Sequence, residues 1–529
     1  MRLTFLRRFG FTTRRDGRIT RWLFISPPPL FWAPPPRLSS EITHPGTPRM
    51  VKLSLKGATF LLFATLFGLT GCLAIMSVGM PCLLVALALR RRGFDSLSIR
   101  FLRAHHFVSD CVAYYWFGMI SLLLSRVMGT KTVGVIEDSS NTSTTTNTTN
   151  AGNRRGGGVP RRRVLTSPQQ WDDALTAPAD GRVLIVMSNH RTRIDWLLLW
   201  PFFLRANEGR LLWRLKIALK SSLRNIPIFG WAMQHFRFLF LSRDRKMDEK
   251  IITETANHWT LSNDGPTFLI FPEGSDLSET NIAKSQAFAK EHGKPLFHHV
   301  LNPRTTGLLA LRDAIGDDRR ISGVVDLTMG YRESTPGTRT SEASILSGNM
   351  PRQVRVLIRK YSVEDVFGKR NVATASSSAS SSSPPSPSDQ SQQHFISFME
   401  NLYRQKEVDL TEFYQNNPHV FAGEEDATMT ADELTTLKGN SSEGASVGYG
   451  REILAFVVCC AGFYATVACG MWLLWLPVTV VAGLIGTSKG GIDRWLVMPF
   501  FSADERRRAT TAESSPMNKN SNKLHKGCD

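Results

Sequence analysis

His190 and Asp195 lie five residues apart and have the side chains of a general base and its orienting partner. They are flanked by an apolar run that predicts a strand, 183–188, and by one that predicts a helix, 196–200. On one continuous helix, residues five apart point about 140° away from each other, so the two side chains could not meet. We therefore predict that His190 lies in the loop after the strand and that Asp195 opens the helix. One imidazole nitrogen would then bind the carboxylate, and the other would accept a proton from a hydroxyl group.

Taken alone, this pair has a second explanation, a core histidine beside an aspartate that caps a helix. Three downstream segments favour the catalytic interpretation: an apolar run that ends in Arg243, a turn that contains Glu273 and Gly274, and a loop that contains Arg304. Arginine is suited to phosphate because its guanidinium presents paired N–H donors. Since α/β folds place ligands in the loops at strand ends, we predict an anionic substrate near the base.

The elements that position these residues alternate between strand-like and helix-like segments, which predicts an α/β layer fold. Predicted strands occupy 183–188, 236–242, 267–271, 321–330 and 354–360. Predicted helices occupy 245–262, 280–292 and 394–416, the last with apolar residues at helical spacing.

Two runs without any charged residue, 57–89 and 453–488, are long enough to cross a bilayer, which needs about 20 apolar residues. Each contains helix breakers, Gly79 and Pro81 in the first and Pro477 in the second. Each run is therefore predicted to be either one tilted span or a re-entrant hairpin of two short helices. A third run, 107–124, contains Asp110 and is predicted to be an interfacial or core helix.

The chain divides into segments of different composition, whose predicted bounds follow. They are a basic, proline-rich extension at 1–49, a membrane segment at 50–95, a globular domain at 96–370 with a disordered insert at 138–163, a Ser/Pro-rich linker at 371–393, a helical extension at 394–450, a second membrane segment at 451–500 and a polar tail at 501–529. The extension resembles an organelle-targeting peptide in its arginines. Met50 as the working start is the alternative, because prolines would break a targeting helix.

The net charge of +19 predicts an anionic partner, such as an acidic membrane surface or a phosphorylated substrate. Nucleic acid is disfavoured, because the chain has no zinc-finger spacing and no RNA-binding motif. The seven cysteines fall mostly in apolar stretches. They indicate small buried side chains, and neither a disulfide framework nor a metal site.

The sequence resembles a known family, the 1-acylglycerol-3-phosphate acyltransferases, over residues 180–332 and more weakly over 394–416. The motifs that carry the resemblance are Asn189-His190-x-x-x-x-Asp195, Phe-Leu-Phe-Leu-x-Arg243 and Phe-Pro-Glu273-Gly274. The stretches 226–234, 271–277 and 303–307 are most similar to its lysocardiolipin acyltransferase branch.

The resemblance implies that 96–370 is a glycerolipid-acyltransferase-type domain with a central mixed sheet flanked by helices, and that membrane helices lie on its N- and C-terminal sides. It also implies transfer of a fatty acyl group from acyl-CoA, as co-substrate and with no further cofactor, to the hydroxyl of a lysophospholipid. His190 would be the base and Asp195 its partner, without an acyl-enzyme intermediate. Arg243 and Arg304 would hold the acceptor's phosphate. Glu273 and Gly274 would shape the acceptor site, with contact to substrate or to backbone left open for the carboxylate.

The chain departs from the family at Asp276, where many members have an arginine, so phosphate binding is expected to rest more on Arg304. Lysophosphatidic acid, lysophosphatidylinositol and monolysocardiolipin are all candidate acceptors. Two other function classes compete with the transferase. One is a serine hydrolase using Ser446 of the motif Gly444-x-Ser446-x-Gly448, which has no preceding strand. The other is an inactive, membrane-anchored lipid-binding protein.

The expected location is the endoplasmic reticulum membrane, with the catalytic domain on the cytosolic face. The flank after the first membrane segment contains Arg90, Arg91, Arg92, Arg100 and Arg103, and positive flanks tend to stay cytosolic. Glycans at the sequons of Asn141, Asn147 or Asn440 would indicate the opposite topology.

Overall fold

The computed structural model describes residues 52–137, 162–176, 181–262, 265–316, 318–333, 339–368 and 387–415, with a few isolated positions between 457 and 481. These residues all belong to one unit, Val51–Asp529. Several predictions lie outside the described residues: the extension 1–49, the tail 501–529, Ser446, the three sequons and, apart from the isolated positions, the second membrane segment.

A single mixed sheet forms the centre of the described structure. Its strands are β1 (Lys131–Glu137), β2 (Arg162–Val164), β3 (Val183–Ser188), β4 (Leu215–Lys220), β5 (Leu239–Leu241), β6 (Thr267–Ile270), β7 (Ile321–Tyr331) and β8 (Gln353–Tyr361). Their order across the sheet is β2-β1-β8-β7-β3-β6-β4-β5. The pairs β1–β2 and β7–β8 are antiparallel and the others are parallel, so the predicted mixed α/β sheet is confirmed.

Strand β3, which precedes His190, lies in the middle of the sheet, between β7 and β6 and parallel to both. All six of its residues are buried, which explains why it appears in the sequence as a continuous apolar run. Its side chains alternate between two cores, with Leu184 and Val186 in one and Ile185 and Met187 in the other. The sheet is therefore covered on both faces.

Three strands were not predicted, and one predicted strand is shorter than expected. Strand β2 includes Arg162 and Arg163, so the prediction of disorder up to residue 163 is wrong at its end. The side chain of Arg162 binds Glu137 and Asp409, which stabilises a strand that has few apolar residues. The strand predicted at 236–242 is reduced to Leu239–Leu241 because the helix Phe229–His235 and a positive φ at Arg237 precede it.

Helices surround the sheet in the described chain. They are α1 (Leu55–Ala74), α2 (Met80–Arg91), α3 (Asp95–Leu122), α4 (Pro168–Ala174), α5 (Asp195–Leu198), α6 (Trp200–Arg205), α7 (Arg210–Trp213), α8 (Phe229–His235), α9 (Arg245–Ser262), α10 (Glu279–Glu291), α11 (Thr306–Ile315), α12 (Glu342–Ser347), α13 (Val363–Phe367) and α14 (Pro387–Gln415). The predicted helices at 245–262 and 280–292 are confirmed. Helix α14 begins at Pro387, so the linker predicted to reach residue 393 ends earlier.

The first apolar run forms one continuous helical segment, Leu55–Arg91, so the predicted re-entrant hairpin is wrong there. A π-helical turn, Ile75–Gly79, joins α1 to α2, so the helix continues through the predicted breakers Gly79 and Pro81. Pro81 falls in the first turn of α2, where a missing N–H is tolerated. By length and composition, this segment and Asp95–Val127 are both able to cross a membrane.

The third apolar run belongs to α3 and packs against the domain. Trp116 and Phe117 are buried, and the ring centroid of Phe117 lies 4.5 Å from that of Trp200 on α6. The buried carboxylate of Asp110 accepts hydrogen bonds from Lys216 at 2.8 Å and from Arg237 at 2.9 and 3.0 Å. This half of α3 is therefore a core helix, one of the two predicted alternatives.

Candidate active site

The loop after β3 places His190 beside Asp195. The buried Asn189 fixes the start of the loop to β7, because its amide group donates to the carbonyl oxygen of Met329 at 3.0 Å and accepts from the Met329 N–H at 2.7 Å. His190 follows in the loop, and Asp195 is the first residue of α5. Their Nδ1 and Oδ2 atoms are 3.1 Å apart, which is the pairing predicted from the spacing.

Asp195 is completely buried and has hydrogen-bond partners on both carboxylate oxygens. Besides His190, it accepts from the backbone N–H of Thr192 at 2.8 Å, from the Thr192 hydroxyl at 2.9 Å and from the Tyr331 hydroxyl at 2.7 Å. Burial and the charge of Asp195 hold the pKa of Tyr331 well above its ordinary value, so the hydroxyl remains a donor. The carboxylate is therefore fixed in one orientation.

Thr192 and Tyr331 are site residues that the sequence analysis missed. Thr192 lies inside the His190–Asp195 segment, and a hydroxyl so near the aspartate could have been predicted as a hydrogen-bond donor to it. Tyr331 ends β7, and β7 runs parallel to β3 at this edge of the sheet. A polar aromatic residue at the end of a predicted strand next to the base could have been noticed, but the strand order was not known.

The His190 ring is held on its face as well as at Nδ1. It stacks on Phe271, with ring centroids 4.4 Å apart, and 17% of its side chain is exposed. With Nδ1 bound to the carboxylate, Nε2 is the nitrogen left for an incoming hydroxyl. This arrangement is able to act as a general base supported by a carboxylate.

Glu273 connects the loop after β3, which contains His190 and is called the base loop, to the loop that contains Arg304. Its buried carboxylate accepts the backbone N–H of His190 at 2.9 Å on one oxygen and that of Leu301 at 3.0 Å on the other. Burial raises the pKa of Glu273 to about 8, although the two N–H donors and Lys406 oppose this. The structure thus places this side chain against backbone, the alternative that the sequence left open.

Arg243 and Arg304 approach Gly274 from separate segments. A guanidinium nitrogen of Arg243 lies 3.2 Å from the Gly274 carbonyl oxygen, and a Cβ added to Gly274 would lie 3.2 Å from Cδ of Arg304. Gly274 itself has a φ of +68°, which disfavours other residues. Both arginines are exposed, so their donors remain accessible to a ligand.

The turn that follows Gly274 lies against the base loop. The N–H of Leu277 donates to the carbonyl oxygens of His190 at 2.9 Å and of Arg191 at 3.2 Å. The structure therefore brings together all six residues predicted for the site: His190, Asp195, Arg243, Glu273, Gly274 and Arg304.

The negative charge at Asp276 has a partner from a remote segment. Arg339 lies 3.8 Å from its carboxylate and also donates to the Arg191 carbonyl oxygen. The reversed charge at this position is thus compensated close to the turn. Among the described residues, no group of three or more His, Cys, Asp or Glu side chains is arranged to hold a metal ion.

Comparison with known proteins shows that the chain is similar to acyltransferases. Residues 172–308 match the model of the Acyltransferase family. The chain is 35% identical over 186 residues to Lysocardiolipin acyltransferase 1 of Mus musculus, covering 35% of this chain and 48% of that protein. It is 32% identical over 189 residues to Probable 1-acyl-sn-glycerol-3-phosphate acyltransferase 5 of Arabidopsis thaliana, covering 36% and 48%. It is also 32% identical over 186 residues to Lysophosphatidylinositol acyltransferase 10 of Caenorhabditis elegans, covering 35% and 47%.

The chain spans about half the length of the curated relatives it matches. The matches include both the catalytic-domain motifs and the branch that the sequence resembled. Residues 172–308 thus form a domain of the Acyltransferase family, and the chain is similar to lysocardiolipin, 1-acyl-sn-glycerol-3-phosphate and lysophosphatidylinositol acyltransferases.

Proposed function

We propose that this protein is a membrane-bound O-acyltransferase that moves a fatty acyl group from acyl-CoA to the free hydroxyl of an anionic lysophospholipid. The observation that carries the proposal is the contact between His190 and Asp195, 3.1 Å, at the end of the central strand of an acyltransferase-family domain. A base fixed at one nitrogen and open at the other is what the attack of a hydroxyl requires.

In the proposed reaction, Nε2 of His190 takes the proton of the acceptor hydroxyl as the oxygen attacks the thioester carbonyl carbon. Asp195 stabilises the imidazolium that forms. The tetrahedral intermediate collapses, the C–S bond breaks, and the thiolate of CoA leaves and recovers the proton from His190. The acyl group passes directly to the acceptor, and no residue of the chain is acylated.

The acceptor's phosphate is proposed to bind between Arg243 and Arg304 at the Gly274 turn. Both guanidinium groups are exposed at this turn, and the next residues contact the His190 loop. A phosphate held there would place a neighbouring hydroxyl toward the base. Lysophosphatidic acid, lysophosphatidylinositol and monolysocardiolipin all have a phosphate near a free hydroxyl, and the names of the relatives cover this same range.

The membrane supplies both lipid substrates in this proposal, with the domain on the cytosolic face of the endoplasmic reticulum. Support comes from the exposed apolar side chains on α1, the π-helical turn, α2 and α3, which include Leu55, Leu62, Val78, Leu84 and Phe107. Protease protection of intact vesicles tests the topology. Digestion of the catalytic domain from the outside of microsomes is expected, and full protection would contradict the proposed orientation.

An acceptor panel tests the function. Purified full-length protein in lipid vesicles would receive one acyl-CoA and, separately, each of the three lysolipids or a monoacylglycerol, which has the hydroxyl but no phosphate. Mass spectrometry would follow the acylated product. We expect product from at least one anionic lysolipid and much less from the monoacylglycerol. A folded protein that forms no product from any acceptor would contradict the proposal and favour the inactive lipid-binding protein.

A further inference from the structure

Helix α14 is attached to the sheet by buried ion pairs. The ammonium group of Lys406 lies 2.8 Å from the carboxylate of Asp326, and neither side chain is exposed. One helical turn later, the carboxylate of Asp409 binds Arg359 at 2.6 Å and Arg162 at 2.7 Å. Buried charges tolerate little displacement of their partners, so these pairs determine the register of α14 on the domain.

Between these anchors, the carboxylate of Glu407 binds the backbone of a loop. It accepts the N–H groups of His298 at 2.7 Å, His299 at 2.9 Å and Val300 at 3.2 Å. The next N–H, that of Leu301, donates to the carboxylate of Glu273. Two carboxylates, one from α14 and one from the active site, thus hold four consecutive amides.

These four amides precede Arg304 in a segment without regular secondary structure. Residues 298–305 lie between α10 and α11 and belong to neither a helix nor a strand. Such a segment has no ladder of backbone hydrogen bonds, so its shape depends on outside acceptors. Arg304 is held beside the Gly274 turn by its own N–H, which donates to the Pro272 carbonyl oxygen at 2.8 Å, and Glu407 and Glu273 fix the four amides that lead up to it.

The same face of α14 contacts the base loop. The Tyr414 hydroxyl donates to the carbonyl oxygen of Tyr331 at 3.1 Å, and its ring lies 4.4 Å from the guanidinium carbon of Arg191. The ring of His299 stacks on Tyr414, with centroids 5.2 Å apart. Helix α14 thus contacts both the segment 298–305, which contains Arg304, and the residues next to His190.

We propose that Glu407 is a positioning residue for the acceptor site: it shapes the 298–301 segment so that Arg304 meets the phosphate of the lysolipid. This inference rests on the proposed function. It assigns to the C-terminal helix, through one carboxylate, a part in the selection of the acceptor. Glu407 does not touch the substrate and acts only through Arg304.

The experiment compares Glu407→Gln with Glu412→Gln, which changes an exposed carboxylate on the same helix. Glutamine keeps the size of the side chain and one oxygen acceptor, but removes the charge and the second oxygen. For the full-length protein with its best lysolipid, we expect KM for the lysolipid to rise about tenfold in Glu407→Gln, consistent with the loss of charge-assisted hydrogen bonds. The KM for acyl-CoA should match that of Glu412→Gln.

Two further measurements separate positioning from a general effect on stability. Hydrogen exchange should become faster at 298–300 in Glu407→Gln and stay unchanged in the control. In an Arg304→Ala background, Glu407→Gln should have no further effect on the lysolipid KM, because the two act in series.

An equal lysolipid KM in the two glutamine variants, or unchanged exchange at 298–300, would overturn the inference. So would a fall in the melting temperature of Glu407→Gln with both KM values unchanged, since that result assigns Glu407 to stability alone. If the wild type forms no product with any lysolipid, the proposed function fails by itself. The exchange measurement still shows whether Glu407 shapes this loop.

Discussion

The two sides of the candidate site are built in different ways. The base side is local: His190, Thr192 and Asp195 lie within six residues, and the carboxylate is completely buried. The acceptor side is assembled from distant segments, and its two arginines, Arg243 and Arg304, are exposed. The difference suggests that the chemical step is set by a small, rigid unit, whereas acceptor choice depends on long-range packing.

Glu273 is the joint between the two sides, because its two oxygens bind one backbone N–H from each. Variants on either side and at this joint test whether the division into base and acceptor sides is real.

Replacing Asp195 with asparagine should cause the largest loss among these variants. Asparagine keeps one oxygen acceptor, but its NH₂ group replaces the other oxygen, which accepts hydrogen bonds in the wild type, so the imidazole would lose its orientation. We expect kcat to fall about 10²–10⁴-fold, the range for loss of general base catalysis. Steady-state kinetics with the best lysolipid measures it, and Tyr331→Phe, which leaves the contact with His190 in place, should lose less. Near-normal kcat in Asp195→Asn would place the base elsewhere.

Replacing Glu273 with glutamine should affect both sides together. One of the two backbone N–H groups would face the amide NH₂ of glutamine, and a buried donor without an acceptor is unfavourable by about 1–3 kcal/mol. We therefore expect kcat to fall and the lysolipid KM to rise, each by about tenfold. Full kinetics for both substrates checks this. A change in kcat alone or in the lysolipid KM alone would show that Glu273 does not connect the two sides.

Replacing Arg304 or Arg243 with alanine should affect the acceptor side alone. Loss of one charge-assisted contact to phosphate should raise the lysolipid KM about tenfold, with kcat close to that of the wild type. A monoacylglycerol, which has no phosphate, should react no worse with the variants than with the wild type. Equal losses for both acceptors would indicate that these arginines do not bind phosphate.

Acid should loosen the attachment of α14 to the sheet, and this is the smallest expected effect. Burial alone would raise the pKa of Asp409, but Arg359 and Arg162 outweigh it and hold the pKa below the ordinary value of 3.8. The stabilising contribution of Asp409 is therefore complete above pH 3.8 and is lost as pH falls through the folded-state pKa. Melting temperatures between pH 5 and about pH 3 should fall more steeply in the wild type than in Asp409→Asn. Parallel curves would contradict the assigned role of this ion pair.

The base side was predictable because its signals are local. The run 183–188 is buried on both faces, so its pattern in the sequence was continuous, and a histidine and an aspartate after it had few ways to meet. Tyr331, by contrast, reaches Asp195 across 136 residues. Its role depends on which strand neighbours β3, and no periodicity contains that information.

Strands and helix ends that depend on remote charges were also hidden. Strand β2 has few apolar residues and is held by Glu137 and Asp409. The breakers Gly79 and Pro81 left a hairpin open beside a single span because a π-helical turn, which accommodates them, has no recognisable pattern in the sequence. Glu407 lies in a segment that resembled the family weakly, but its three acceptor contacts depend on where α14 packs.

The central claim is that His190, oriented by Asp195, is the base of an acyl transfer. Release of CoA thiol in the presence of the best lysolipid, measured for the wild type, His190→Ala and the double variant His190→Ala/Asp195→Asn, tests it most directly. We predict that His190→Ala loses at least as much activity as Asp195→Asn and that the double variant is no worse than His190→Ala, because residues that act as a unit are not additive. Thiol release by His190→Ala at the wild-type rate would contradict the account.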